Sequence, residues 1–434
     1  MIKKITTILF ASLLTSSVIP QLHAQSNNSV SASMMVSDQT IRPFHLDISA
    51  DKIMDLKNRI AQTKWASQEL VNDETQGVQL STMQALANYW SQSYDWRKIE
   101  AKINAYPQFV TKIDGLDIHF IHVRSSHKNA LPIIITHGWP GSFIEQLKVI
   151  EPLTNPEKYG GKSEDAFDVI IPSLPGHGFS EKPTTLGWNP QRIAKAWITL
   201  MERLGYQQYV AQGGDWGNAV TENMALLKPK GLLAIHTNMA AAVPAEISTA
   251  LAKGEMPKNL TTDEQMAYKQ LDFSYKKGLG YANEMSLRPQ TLYALDDSPI
   301  GLAAWILDHD DRSQQLIARV FAGQQEGLTK DDILDNISLY WFANTGVSAA
   351  RLYWEASQGA TGGFFDPRGV TIPVAVSAFP DEIYAVPESW AQRAYPQLIH
   401  YHKLAKGGHF AAWEQPKVFV DEMRTAFKTV RKGL

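Results

Sequence analysis

Gly213-Gly214-Asp215-Trp216-Gly217 is the stretch on which the reading of this chain turns. Just upstream, Tyr209 to Gln212 has strand texture; just downstream, Asn218 to Leu227 has a helical pattern. Small residues on both sides of one polar residue, between a strand and a helix, fit a sharp strand-to-helix elbow. The backbone there is strained and closely packed, so the flanking positions call for glycine. The usual central residue is Ser, in Gly-x-Ser-x-Gly, and that pentapeptide occurs nowhere in this chain. Asp215 occupies the centre instead, with a helix N-terminus behind it that favours negative charge. Alone, the pattern also describes an Asp that merely caps a helix after a Gly-rich turn. The surrounding sequence decides between the two.

Ile118 to Val123, Ile133 to Thr136, Val169 to Ser173 and Leu232 to Thr237 also read as strands, and Arg192 to Leu204 as an amphipathic helix. Short apolar strands alternating with helices predict an α/β fold, a mostly parallel sheet with helices on both faces. From Pro244 to about Gly362 the alternation stops, and the chain is helical and rich in aromatics. Strand texture returns at Val374 to Ser377 and Leu398 to Leu404, before a last helix near Val418 to Val430. A helical insertion between two halves of a sheet is most simply a lid over the strand ends, where open α/β sheets place ligands. Ahead of the sheet, Pro43 to Trp65 is expected to be helical, with Ile53, Leu56 and Ile60 at helical spacing and Asp51 as cap. Thr82 to Tyr94 is a second expected helix, and no strand is expected before Ile118.

The elbow then gains partners. Ile133 to Thr136 ends in His137-Gly138-Trp139-Pro140-Gly141-Ser142, placed where a hydrolase with such an elbow supplies a second oxyanion donor. The N–H groups of Trp139 and Trp216 are the expected pair. His137 and His177 read as structural hydrogen-bonders. The base is expected late, after the last strand, and Gly407-Gly408-His409-Phe410 fits that place. The residue orienting His409 should follow the strand at Val374, and both Asp381 and Glu382 stand there. Adjacent side chains point differently, so only one can reach; the residues alone leave the choice open.

Bulk properties fit an enzyme of this size. The chain has 434 residues, a net charge of −3, twelve Trp, sixteen Phe and no cysteine. Nothing in the charge pattern suggests a nucleic-acid partner. The absence of cysteine excludes disulfides, thiolate metal sites and a cysteine nucleophile. Lys3 and Lys4, the apolar Ile5 to Leu14, and Leu22-His23-Ala24 read as a secretory signal cut after Ala24, since the apolar run is short for a membrane span. The protein is therefore expected to be exported, to the periplasm or the medium. Gln25 to Gln39, rich in Ser and Asn, reads as a disordered leader.

With these motifs in place, the chain resembles the microsomal and juvenile-hormone epoxide hydrolase family. The resemblance runs from about Arg42 to the C-terminus. It rests on Arg42-Pro43-Phe44, Thr63-Lys64-Trp65, Asp95-Trp96-Arg97-Lys98, Tyr106-Pro107-Gln108-Phe109, the His-Gly-Trp-Pro turn, the elbow, Ser377-Ala378-Phe379-Pro380 and Gly407-Gly408-His409-Phe410. It implies an α/β-hydrolase fold with a helical lid insertion and an N-terminal helical extension. The implied partition is a signal peptide over 1–24, a leader over 25–40 and the family's N-terminal extension over 41–115. The core follows over 116–242, the lid over 243–364 and the rest of the core over 365–434. The family's nucleophile falls on Asp215, its base on His409, its acid on Glu382 and its two lid tyrosines on Tyr281 and Tyr353. Tyr275, Tyr293 and Tyr340 are then packing residues.

The resemblance further implies small apolar epoxides and water as reactants, a vicinal diol as product, and no metal or organic cofactor. It admits a homodimer. The microsomal members keep a membrane anchor, whereas the segment here reads as cleavable, so no stable membrane attachment is carried over. A haloalkane dehalogenase would share the Asp nucleophile and could use the indoles of Trp139 and Trp216 for its halide, but a leaving halide needs no proton from Tyr281 and Tyr353. A serine esterase lacks its elbow here, and a non-catalytic binding protein on the fold would not need competent residues at all five catalytic positions.

Overall fold

Nine strands form one sheet: β1 (Ile41–Pro43), β2 (Gln108–Ile113), β3 (Leu116–Val123), β4 (Leu131–Thr136), β5 (Phe167–Pro172), β6 (Tyr209–Gly213), β7 (Leu232–Thr237), β8 (Val374–Ala378) and β9 (Leu398–Lys403). Their spatial order is β1-β2-β3-β5-β4-β6-β7-β8-β9. β1, β2, β3 and β5 pair antiparallel in succession, and every pair from β5 to β9 is parallel. This is the α/β-hydrolase arrangement. The computed structural model describes residues 39–358 and 363–431, so the expected signal and nearly all of the expected leader lie outside the described residues. No described helix is long and apolar enough to cross a membrane.

The central strands are buried on both faces. Ile133, Ile134 and Ile135 in β4, Val210 and Ala211 in β6, and Val374 to Val376 in β8 are all fully enclosed, which explains their unbroken apolar runs. Helices α4 (Leu147–Thr154), α5 (Pro190–Arg203) and α6 (Trp216–Leu227) cover the sheet, α5 against α6 and α4 against the late helix Pro416–Ala426. That late helix ends at Ala426, and a separate turn, Lys428–Arg431, follows.

The N-terminal region departs from expectation in two ways. Helix α1 (Ala50–Ala61) is capped by Ser49, whose side chain accepts from the N–H of Lys52; Asp51 lies inside the first turn and is not the cap. The residues before it are not helical. Ile41–Pro43 is an edge strand on β2, and both lie ahead of Ile118. A three-residue strand bearing Arg and Pro carries no period-2 signal, and only pairing reveals it. Two further helices follow, α2 (Leu80–Gln92) and α3 (Trp96–Asn104).

Between β7 and β8 the chain is helical from Ala245–Lys253 through Gly346–Ser357. Those helices are tied to the core loops by buried polar contacts. Tyr340 Oη donates to the carbonyl of Gly141 (2.9 Å), Asn336 Nδ2 to that of Pro140 (2.8 Å) and Ser348 Oγ to that of Gly176 (2.6 Å). The extension braces the same insertion from outside: Trp90 Nε1 donates to Ser338 Oγ, Tyr94 Oη to Asp335, and Trp96 packs edge-on against Phe342. Two aromatics of this insertion, Trp341 and Phe342, meet Arg59 and Trp96 of the extension.

Candidate active site

Parallel register brings the ends of β4, β6, β7 and β8 to one level. Thr136 pairs with Gly213, Gly213 with Thr237, and Thr237 with Val376. The loops leaving β4, β6, β8 and β9 therefore emerge together, carrying Trp139, Asp215, Glu382 and His409.

Asp215 has φ +51° and ψ −130°, a conformation L residues rarely adopt, which costs of order 1–3 kcal/mol and persists only where packing enforces it. The enforcement is visible at two glycines. A Cβ on Gly217 would stand 2.0 Å from the carbonyl oxygen of Thr136, and one on Gly138 would stand 2.2 Å from Asp215 Oδ1. The elbow is pressed against the β4 loop, and the Asp215 side chain occupies the space that Gly138 leaves open.

The carboxylate of Asp215 is buried and accepts the backbone N–H of Trp139 on Oδ1 at 2.8 Å. Trp216 opens α6, but among the described residues its N–H makes no hydrogen bond to this carboxylate. His409 presents Nε2 at 3.9 Å from Asp215 Oδ2 and holds Nδ1 at 2.6 Å from Glu382 Oε1. Glu382 is fixed in turn by the N–H of Ile383 (2.8 Å) and by Asn238 Nδ2 (3.4 Å). Its neighbour Asp381 is exposed and pairs along the backbone with Gly407 and Gly408 instead. Glu382 is thus the carboxylate that reaches the histidine, and Asp381 knits the two loops together. Burial works against a charge on His409, yet Glu382, Asp215 and Asp310 together push its pKa up to about 10.

Tyr281 and Tyr353 close the space above. Tyr281 stacks on Trp139 with centroids 4.9 Å apart, Tyr353 stands edge-on to Trp216 at 4.7 Å, and the two phenol rings meet at 6.0 Å. Burial, with the charge of Asp215 added, holds both phenols well above their ordinary pKa. They are neutral hydroxyls beside a carboxylate, able to donate but not ionised at rest. Of the other tyrosines weighed, Tyr340 is buried on Gly141, Tyr293 is exposed, and Tyr275 is partly exposed with its ring against Phe365. His137 and His177 are structural. His137 accepts the N–H of Leu174 on Nε2, and His177 meets the carbonyl of Pro175 at 3.0 Å. Burial pushes them down to about 3 and about 4.

Three site residues escaped sequence reasoning. Glu145 is buried, its carboxylate lying where a Cβ on Gly141 would be, and burial pushes its carboxyl up to about 8. With Gln146, it borders a small cavity on the core side of Asp215 and His409. His309 lies against His409, with ring centroids 4.3 Å apart. Glu414 accepts the N–H groups of Gly408 and Phe410, one on each carboxylate oxygen and both at 3.0 Å. It therefore grips the backbone on both sides of His409. Its position directly after Gly407–Trp413 was the available signal; the other two come from distant segments that only tertiary structure joins.

Glu414→Ala leaves two buried N–H groups unpaired, each costing about 1–3 kcal/mol. Urea unfolding should register a loss of about 2–6 kcal/mol, with kcat falling more than KM changes because the His409 loop is loosened; unchanged stability would refute the clamp.

Comparison with known proteins follows the same lines. Residues 41–146 match the family model for the epoxide hydrolase N terminus, and residues 132–416 match that for the alpha/beta hydrolase fold. A putative epoxide hydrolase of Stigmatella aurantiaca is 47% identical over 398 residues, covering 90% of this chain and 86% of that one. Epoxide hydrolase 1 of Sus scrofa is 36% identical, covering 89% and 88%. Among solved structures, the juvenile hormone epoxide hydrolase of the silkworm Bombyx mori superposes with a TM-score of 0.79 at 29% identity, covering 91% of this chain and 96% of that one.

Proposed function

The chain belongs to the epoxide hydrolase family, as an enzyme of the α/β-hydrolase fold that acts on epoxides, and we propose that it forms vicinal diols through an ester on Asp215. The observation that carries the mechanism is the convergence of one buried carboxylate, one His–Glu pair and two neutral phenols on the same small space. An epoxide has a strained, electrophilic carbon and a poor leaving oxygen. Asp215 Oδ2 attacks one ring carbon; the C–O bond breaks, and its electron pair leaves on oxygen. Tyr281 or Tyr353 supplies the proton, leaving a tyrosinate that the second phenol stabilises. Small apolar epoxides suit walls built from Trp139, Tyr281, Tyr353 and Phe410.

Hydrolysis follows. His409, protonated while it faces the carboxylate of Asp215, first gives its proton to the tyrosinate; the neutral ring then takes a proton from water, and the oxygen adds to Cγ of Asp215. The oxyanion develops where Trp139 N–H already donates, and Trp216 N–H at the start of α6 is the second donor of this proposal. Collapse expels the alkyl oxygen, which takes the proton from His409. The regenerated carboxyl of Asp215 returns its proton to His409, so every group ends as it began. No step calls for a metal or organic cofactor.

Purified protein incubated with small aromatic and aliphatic epoxides, beside matched haloalkanes, is expected to yield diol and release no halide. Halide release without diol would move the assignment to a dehalogenase. Tyr281→Phe and Tyr353→Phe are each expected to lower kcat on epoxides, and the double variant to lower it by roughly 10²–10⁴-fold, the usual contribution of a positioned acid. Retained turnover in the double variant would reduce both tyrosines to packing.

A further inference from the structure

His309 is placed in a way that the proposed mechanism does not use. It joins the helices Pro299–Leu307 and Asp311–Phe321 and is almost wholly buried. Its Nδ1 lies 2.9 Å from Asp310 Oδ2. Asp310 is anchored by its other oxygen, which caps the following helix by accepting the N–H of Ser313 at 2.7 Å. Burial disfavours the charge on Asp310, but the hydrogen bond from His309 and the charge of His409 hold its carboxyl down to about 2. It is therefore an acceptor, so Nδ1 of His309 carries a proton toward it, and in the neutral form of the ring the lone pair lies on Nε2. That Nε2 is buried and without a hydrogen-bond partner among the described residues.

The ring leans on His409 at 4.3 Å, on Tyr281 at 5.2 Å and on Trp139 at 6.0 Å. One nitrogen from each of His309 and His409 and one oxygen of Asp215 all lie within 4.8 Å of one another. An oxygen atom at the centre of such a triangle is about 2.8 Å from each corner, ordinary hydrogen-bond reach. A buried imidazole whose neutral form has an open lone pair, set beside His409 and Asp215, calls for a donor.

We propose that His309, oriented by Asp310, is the second acceptor for the hydrolytic water. The inference rests on the Asp215-ester reading. The water gives one hydrogen to His409 Nε2 and the other to His309 Nε2, which turns an oxygen lone pair toward Cγ of Asp215. The O–C bond forms, the carbonyl electron pair moves onto the oxyanion, and one proton passes to His409. His309 accepts a hydrogen bond throughout and takes no proton. The enzyme thus carries two His–carboxylate pairs with separate tasks, one removing a proton and one aiming the water.

The test is single-turnover kinetics with styrene oxide, acid-quenched and read by intact-protein mass for the enzyme–epoxide ester and by chromatography for diol. His309→Phe keeps an aromatic ring against His409 but cannot accept. It is expected to form the ester within about 3-fold of the wild-type rate, to hydrolyse it 10–100-fold more slowly, and so to accumulate the adduct. Asp310→Asn keeps a competent helix cap but removes the charge that fixes the tautomer; it should slow the same step by a smaller factor. Thermal unfolding of both variants reports whether the fold survives, and Asp310→Asn carries the test if His309→Phe does not fold. Equal slowing of both steps, or no change in hydrolysis, overturns the proposal; in the latter case the water is aimed from the side of Gln146. His409→Gln in the same assay separates the two readings: if that variant makes diol yet never holds an adduct, the ester mechanism itself fails.

Discussion

Asp215→Asn is expected to lower diol formation by about four orders of magnitude or more without unfolding the protein. The amide is isosteric and keeps an oxygen for the N–H of Trp139, so the 2.8 Å contact that positions the side chain survives. What is lost is the negative charge that attacks carbon. The variant also isolates an electrostatic effect. His409 is held up to about 10 by Glu382, Asp215 and Asp310 against the opposing effect of burial, and Asp215 Oδ2 lies 3.9 Å from its Nε2. A charge at about 4 Å is worth roughly 4 kcal/mol at the effective dielectric of a protein site, or about three pH units. Removing a negative neighbour favours the neutral ring, so NMR titration should find the His409 pKa lower in Asp215→Asn, by at least one unit. The ester has the same neutrality. On the proposed mechanism the imidazolium pairs with Asp215 in the resting enzyme; ester formation removes that partner, the ring gives its proton to the tyrosinate, and the neutral ring then acts as the base. An unchanged His409 titration would contradict that coupling.

How much of this was legible in the sequence depends on whether a residue's reason is local. The strands β4 to β8 are buried on both faces, so their apolar runs stand out, and the elbow announces itself because Gly138 and Gly217 are demanded by atoms about 2 Å away. β1 was illegible: Ile41–Pro43 is a strand only because β2 pairs with it. Pro43 to Ser49 could not be told from helix for the same reason, since the periodic residues all lie inside Ala50–Ala61. Asp381 and Glu382 could not be ranked from the residues, because what separates them is which side chain turns inward across β8 and β9. His309 and Glu145 stand far along the chain from His409 and carry no motif. Their place at the site follows from how the inserted helices and the β4 loop fold back over the sheet.

His409→Gln is expected to divide the reaction in two. Epoxide opening needs the carboxylate of Asp215 and a phenol, and neither depends on a neutral base; that step should proceed at a rate close to wild type. Ester hydrolysis needs a group that removes a proton from water, and glutamine cannot do it. The protein should therefore consume one epoxide per site in a burst, gain the mass of one epoxide, and then turn over at least about 10³-fold more slowly than wild type. Loss of the imidazolium also strips Asp215 of its nearest cation at 3.9 Å, which makes the carboxylate less shielded and leaves its attack no weaker. Glu382→Gln should fall between the two: His409 keeps a hydrogen-bond partner but loses the charge that stabilises its protonated form, so the ester should accumulate partially. A His409→Gln protein that consumes no epoxide at all while Asp215 remains would mean the imidazolium is required for ring opening, and the division of labour between the phenols and the histidine would have to be redrawn.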